Sequence, residues 1–541
     1  VNRAIPGAGP ARRAGTLLAV ALAAVVATAT VAGPSAADRR EGTGRAARAA
    51  KPGPDGIVRR PLEPPAPRPG ARLLRFRHGP IEVKPGQNNI DFTAGRVAKP
   101  PVDGWVVGIT PDLKFRSGRV PRVDVVHLHH GVWLNMSRRD ATVPSLPERF
   151  FAAGEEKTIM RLPRGYGYRY RTSDRWVINY MLHNLTSNTY RLYLTYDIEF
   201  IPDGSPAARD VTEARPLWMD VENGKIYPVF DVLRGQGRDG RVTYPDDYRD
   251  PYGNRPPANT WTVDRDGVLL ATAGHLHPGG LHTELWLRRP GATPTKAAAG
   301  AAQGDGRVRL FRSVARYYEP AGPVSWDLSM TATPADWRVG VRAGDELSTS
   351  VTYETRRASW YESMGIMVLW MADGSGPDPY RRRVDAPGKV THGPLPENRN
   401  HGGERTRMPD PRRLPDGPAV DQVDSVEFAY VPGGFDLGDP LAPPVVRQGE
   451  SLRFVNRDAP LDNGIWHTIT SCRAPCNRST GIAYPLADGP VVFDSGELGV
   501  AGPPTANRLS WETPKDLPPG TYTFFCRIHP SMRGAFRVVP G

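Results

Sequence analysis

Cys526-Arg-Ile-His529-Pro-Ser-Met532 places a thiol, an imidazole and a thioether at C-x2-H-x2-M spacing, and a further imidazole, His467, stands upstream of it. Three donors on so short a loop share one rigid frame. Two imidazoles and one thiolate in a plane, with a long axial thioether, are the donor set of a blue-copper electron-transfer site. The expected ligands are His467, Cys526, His529 and Met532. A buried Cys beside a surface His is the bland alternative.

The flanking residues supply the strands such a loop needs. Gly449-Glu-Ser-Leu-Arg-Phe-Val-Asn-Arg-Asp reads as a turn and an alternating strand, and Trp466-His467-Thr-Ile-Thr begins another. Gly520-Thr-Tyr-Thr-Phe-Phe525 runs into Cys526, and Gly534-Ala-Phe-Arg-Val-Val leaves as the last strand. Alternation bounded by Gly and Pro is a β pattern. Residues 425–541 thus resemble the cupredoxin family, particularly its plastocyanin, amicyanin and pseudoazurin branch. That resemblance implies a Greek-key β-sandwich. The chain has 3 cysteines. With Cys526 taken as a ligand, Cys472-Arg-Ala-Pro-Cys476 reads as a small loop disulfide. A second metal site is the alternative, though two thiols alone make a poor one. A disulfide requires an oxidising compartment.

Six of the 12 histidines crowd into His127-Leu-His129-His130 and His275-Leu-His277-Pro-Gly-Gly-Leu-His282. Residues i and i+2 on a strand share a face, so His275 and His277 can hold one metal together, as can His127 and His129. His183 and Met364 complete an order of His-His, His, His-x-His and Met. That order resembles the copper type II, ascorbate-dependent monooxygenases, the peptidylglycine α-hydroxylating and dopamine β-monooxygenase enzymes. The resemblance implies two jelly-roll domains with one copper each and a solvent cleft between them. It assigns one copper to His129, His130 and His183, with His127 an alternative, and another to His275, His277 and Met364, with Met367 an alternative. Core packing is the competing role for either methionine. The sequence also departs from that family. Residues 73–372 contain no cysteine, and Ala273 and Val368 stand where the peptide-amidating members grip a substrate carboxylate. A glycine-extended peptide is therefore not the expected substrate. His392 and His401, in a Pro- and Gly-rich stretch, either cap a copper site or are solvated, and His78 has no partner that the sequence identifies.

The elements that must carry these residues read as β throughout. Trp105-Val-Val-Gly-Ile, Arg191-Leu-Tyr-Leu-Thr-Tyr-Asp-Ile-Glu-Phe and Leu347-Ser-Thr-Ser-Val-Thr-Tyr are representative strands, and no long helical periodicity or fixed-period repeat interrupts them. An all-β chain follows, with two jelly-roll-like sandwiches ahead of the cupredoxin-like one. The expected organisation is a signal peptide at 1–37, a basic Ala/Pro-rich tail at 38–72, sandwiches at 73–207 and 208–372, a linker at 373–424 and the C-terminal sandwich at 425–541. Arg12-Arg13 ahead of an uncharged Ala/Val/Leu run and Ser35-Ala-Ala37 are the pattern of a secretory signal, with an uncleaved anchor as the alternative. Export from the cytoplasm is thereby expected, and no later stretch is apolar enough to span a bilayer. The net charge of +13 resembles a nucleic-acid footprint until it is located. Residues 1–60 hold ten Lys/Arg against three acids, which leaves +6 for all the rest. Nucleic acid is not an expected partner.

Two function classes remain. In one, a blue-copper domain feeds electrons from an external donor to a copper monooxygenase-like body that takes dioxygen and a small organic substrate. In the other, the body is a non-catalytic scaffold, and the chain carries electrons or sequesters copper. Between one and three coppers per chain are expected.

Overall fold

The computed structural model describes residues 63–541 except 89, 94–96, 124, 186–187, 226–227, 248–258, 319–321, 393–409, 435–441, 461–464, 475, 477–490, 500–507 and 530–531. The expected signal peptide, most of the basic tail and His401 lie outside the described residues. All described residues belong to one compact unit, Gly53–Gly541.

The chain is all-β, as its alternation requires. In strand Tyr190–Pro202, Leu192, Leu194, Tyr196 and Ile198 are buried, and the residues between them are partly exposed. These side chains face Trp133, Phe150 and Ile178 across the first core. One wall of that core is Arg72–Val83, Tyr190–Pro202, Gly104–Phe115 and Tyr166–Tyr170. The other is Ile90–Phe92, Trp176–Asn184, Val126–Arg139 and Pro147–Ala153. Period-2 burial on two facing sheets is the sandwich solution for hiding one face of each.

The first wall continues into the next part of the chain. Strand Thr212–Asp220 pairs in parallel with Tyr166–Tyr170 and antiparallel with Gly365–Ala372. Gly365–Ala372 in turn pairs with Gly267–Leu276, the strand that carries His275. Leu328–Ala332, Val308–Tyr317, Gly280–Arg288 and Glu346–Glu354 complete this second layer, over a core that includes Leu217, Leu285, Phe311 and Leu369. The two sandwiches are thus joined by backbone ladders as well as by side chains.

The C-terminal residues form two four-stranded sheets. One is Ala429–Val431, Gln422–Val426, Arg453–Asn456 and Ser510–Glu512, and the other is Val445–Arg447, Arg533–Val539, Gly520–Phe525 and Thr470–Cys472. Between them lies an aromatic core of Tyr430, Phe454, Phe493, Phe524 and Phe536. The stretch expected as a linker is partly built into the fold. Lys389–Val390 pairs with Leu328–Ala332, and Arg537 donates to the carbonyls of Pro411 and Leu414. Cys472 and Cys476 are joined in a disulfide. Among the described residues, no helix is long and apolar enough to cross a membrane.

Candidate metal centre

Cys526 follows the end of strand Gly520–Phe525, where the ladder to Arg533–Val539 stops and the chain must turn. The turn closes on itself: Cys526 N–H donates to the Met532 carbonyl, and Met532 N–H donates to the His529 carbonyl. His529 N–H and Thr468 N–H both point at Cys526 Sγ, at 3.3 and 3.4 Å. His467 arrives from the facing segment, tied to Leu498 by reciprocal backbone bonds.

His467 Nδ1 and His529 Nδ1 stand 3.1 Å apart, and Cys526 Sγ lies 3.9 and 3.6 Å from them. Among the described residues, this is the one group of His, Cys, Asp or Glu side chains whose ligand atoms all fall within 4.8 Å of one another. Bonds of about 2.0 Å to nitrogen and 2.3 Å to sulfur, as in His/Cys metal sites generally, span such separations from one central ion. Met532 is fully buried in the same core cluster as Cys526 and Ile528. The residues present therefore fit a single soft metal ion.

The outer nitrogens explain why both Nδ1 atoms face inward. His467 Nε2 is 2.8 Å from Asp458 Oδ2, and His529 Nε2 is 2.9 Å from the Gly86 carbonyl. Fixing the outer N–H in this way orients a ligating imidazole and sets its tautomer. Asp458 is itself held by the backbone N–H groups of Glu427 and Phe428, both at positive φ. Gly86 has φ +61, and a Cβ there would come within 2.0 Å of the Phe428 ring, so glycine is needed for its carbonyl to reach His529. Burial raises the Cys526 pKa, but the two imidazoles more than offset this and hold the thiol well below its usual range. Burial lowers the His467 pKa, yet the Asp458 carboxylate and the thiolate bring it above the ordinary value. A thiolate is the form that binds metal.

The body histidines do not separate into two sets across a solvent cleft. They form one buried cluster. His127 and His183, opposite one another in the ladder, have ring centroids 4.9 Å apart, and His129 lies 5.7 Å from His130 and 4.4 Å from His277. His275 follows at 5.1 Å from His277. Trp326 packs against His127, His129 and His277 at 4.6–4.8 Å between ring centroids. Gly154 permits the close approach, because a Cβ there would come 2.6 Å from His275 Cε1. Burial holds the pKa of His127 and of His130 down at about 3, and those of His129, His183 and His277 well below normal. Neutral imidazole is the metal-binding form.

Each ring has its own setting. His127 Nδ1 bonds the Val123 carbonyl, His130 Nε2 lies 3.2 Å from Asn179 Oδ1, and His275 Nδ1 lies 3.0 Å from Glu156 Oε2. His183 Nε2 donates to the Ile528 carbonyl at 2.7 Å, which joins this cluster directly to the Cys526–Met532 loop. Met364 is buried with Trp218, Val229 and Ile366, while Met367 belongs to the second core. His392 Nε2 donates to the Glu156 carbonyl, and His282, on strand Gly280–Arg288, stands opposite Val314 and Thr352. His78 packs 6.1 Å from Tyr180.

Sequence reasoning missed Asp458, Glu156, Gly86 and Trp326. Glu156 had a faint signal in Gly154-Glu-Glu-Lys157, an unusual run of charge between apolar strands. Its neighbour Glu155 accepts from Leu128 N–H, and buried Lys157 pairs with Asp112 and Glu155. Gly86 and Trp326 act on partners remote in sequence, and Asp458 reaches His467 across a turn that no residue pattern announces.

No protein-family model matches the chain, and no curated protein matches it. Among solved structures, it is similar to the Cu(I) form of a methionine-to-alanine mutant of amicyanin, at 16% identity over 24% of this chain and 91% of that one, with a TM-score of 0.13. A copper-containing nitrite reductase from Thermus scotoductus SA-01 aligns at 13% identity over 50% of this chain and 55% of that one, with a TM-score of 0.14. Likenesses this slight carry no assignment, and the chemistry of the centre rests on its own donor atoms.

Proposed function

We propose that the chain is a copper protein whose C-terminal sandwich is a blue-copper electron-transfer centre, in which His467, Cys526, His529 and Met532 would hold the ion. The observation that carries this reading is the meeting of two inward Nδ1 atoms and one thiolate sulfur, each imidazole locked from behind by an oxygen acceptor. When bound there, copper would cycle between Cu(I) and Cu(II), and the thioether would tune its potential. The chain's own part is to hold the trio rigid and dry, which keeps reorganisation small. His529 is buried beneath Gly86, and the Ile528 carbonyl is bonded to His183, so this face of the loop is directed to the body. An external redox partner would engage elsewhere on the C-terminal sandwich. The Cys472–Cys476 disulfide is in keeping with an oxidising compartment outside the cytoplasm.

The test is reconstitution of the full chain with Cu(II). The expected product shows an intense visible thiolate-to-copper band and a narrow copper hyperfine splitting. Cys526→Ser removes both, while Met532→Leu keeps copper and raises the potential. A colourless loaded protein with only tetragonal parameters would sink the assignment.

A second reading, that the body also carries copper, is favoured by one feature. His127, His183 and His275 each bond an oxygen through one ring nitrogen and leave the other without a partner, the pattern of ligating imidazoles. Dioxygen and a small organic molecule would then be the co-substrates.

A further inference from the structure

Lys157 follows strand Pro147–Ala153 in the turn that its N–H closes on the Gly154 carbonyl, and its side chain is fully buried. A lysine is almost never buried whole unless it is paired. Its backbone stands at φ +43, in the left-handed region, where a residue with a Cβ stays only if its surroundings hold it. Nζ lies 2.9 Å from Asp112 Oδ1 and 3.4 Å from Glu155 Oε1, and both acids are buried. Neither Lys157 Nζ nor Asp112 Oδ2 completes a hydrogen bond, so the amine touches the carboxyl without the alignment such a bond needs. Asp112 belongs to strand Gly104–Phe115 of one wall of the first sandwich, and Lys157 follows a strand of the other. Two further groups frame the pair. Lys114 Nζ is 3.2 Å from Asp112 Oδ2, and Leu128 N–H donates to Glu155 Oε2 at 2.8 Å, which leaves Oε1 facing the amine. Burial pushes Glu155 up to about 7, against the pull of Lys157, so this carboxyl can exchange a proton near neutrality. Burial disfavours the Lys157 ammonium, but Asp112 and Glu155 offset this and hold its pKa above the ordinary value. The resting partners are an ammonium and a carboxylate, and a proton must move before the amine can attack.

We propose that Lys157 and Asp112 condense into an intramolecular amide, with Glu155 shuttling the proton, so that a covalent side-chain bridge ties together the two walls of the first sandwich. Glu155 takes a proton from the Lys157 ammonium, and the freed nitrogen lone pair attacks Asp112 Cγ. A C–N bond forms, a C–O bond breaks, and the oxygen departs as water. Its two protons both come from the Lys157 nitrogen, one of them by way of Glu155. Nothing is oxidised or reduced, and no other reactant is needed. Lys114 stands where negative charge collects on Oδ2 as the nitrogen adds, and a charge placed in advance stabilises such a state. The fold supplies the rest by holding amine and carboxyl in contact, which makes the step unimolecular. Condensation is favoured because it replaces two buried charges, costly even when paired, with one neutral amide. The bridge would also fix the turn from which Glu156 reaches His275. It is independent of copper at either centre.

The experiment is mass spectrometry of the full chain after unfolding, disulfide reduction and digestion with trypsin. The peptide containing Asp112 and the peptide containing Lys157 are expected as one branched species, lighter by one water than the two together, with no cleavage after Lys157. This readout needs no variant. Two linear peptides, cleaved after Lys157, would reveal an ordinary buried ion pair and overturn the bridge. Fragmentation that places the join at Lys114 would overturn the assignment of Lys157. Lys157→Arg keeps a cation but offers no amine, so a folded Lys157→Arg chain should show no missing water. A folded Glu155→Gln chain, checked by circular dichroism, should yield at least tenfold less of the branched peptide, because a positioned acid–base group contributes about 10²–10⁴ in rate. An undiminished yield from that variant would overturn the role of Glu155.

Discussion

Asp458 controls the C-terminal centre from behind a ligand. Its carboxylate fixes His467 through Nε2 and is itself fastened by two backbone N–H groups, so it cannot follow the ring if the ring turns. Burial works against its charge, but the bond to His467 and the two N–H donors keep its pKa below the ordinary value. Loss of such a partner ordinarily lowers metal affinity about 10–100-fold. Asp458→Ala is expected to weaken copper binding by that factor, measured by competition with a chelator, and to leave the visible band recognisable because the ligands are unchanged. An unaltered affinity would mean that packing alone orients His467.

Strands Val126–Arg139 and Trp176–Asn184 carry four of the clustered histidines, and the sandwich around them is held partly by buried charge. Strand Pro147–Ala153 pairs with the first of these and brings in Glu148, whose Oε2 accepts from the Tyr168 hydroxyl at 2.5 Å. Burial pushes Glu148 from 4.5 up to about 7. The folded state therefore favours the protonated acid. Its contribution to stability is full below pH 4.5 and is lost as the pH rises through 7, a difference of about 3 kcal/mol at most. Glu148→Gln should remove this dependence. Denaturant unfolding at pH 5 and pH 8 is expected to show the native chain losing stability over that interval relative to the variant. Parallel pH curves for the two would show that the carboxyl is solvated.

The C-terminal sandwich is seated on the body by more than a tether. Cys476, Val491 and Phe525 share an apolar cluster with Phe230, Val351 and Trp360. Arg527 lies over the Trp360 and Tyr361 rings, at 4.9 and 5.3 Å, and donates to the Ser359 carbonyl and to Asp494. A desolvated cation over aromatic rings contributes about 0.5–2 kcal/mol. Arg527→Ala is expected to weaken the seating by about 1–3 kcal/mol, allowing for the carbonyl left without its donor. Calorimetry should then separate one unfolding transition into two, with the visible band of the copper-loaded chain little changed. A single transition at the original temperature would assign the seating to the apolar cluster instead.

Much of this was legible in the chain alone. Cys526, His529 and Met532 share one short loop, so their spacing nearly specifies their geometry, and His467 could be added because a strand pattern surrounds it. Alternation of apolar residues announced the all-β fold, and Cys472 and Cys476 are too close in sequence to hide their pairing. The grouping of the body histidines was not legible. Spacing tells which side chains share a strand face, but not which strands face one another, and His129 meets His277 only because two sandwiches close around Trp326 and Gly154. The same limit applied to Gly86 and to the Ile528–His183 bond. Each depends on packing between segments far apart in sequence, whose positions are set by burial of whole sheets and not by any local pattern of residues.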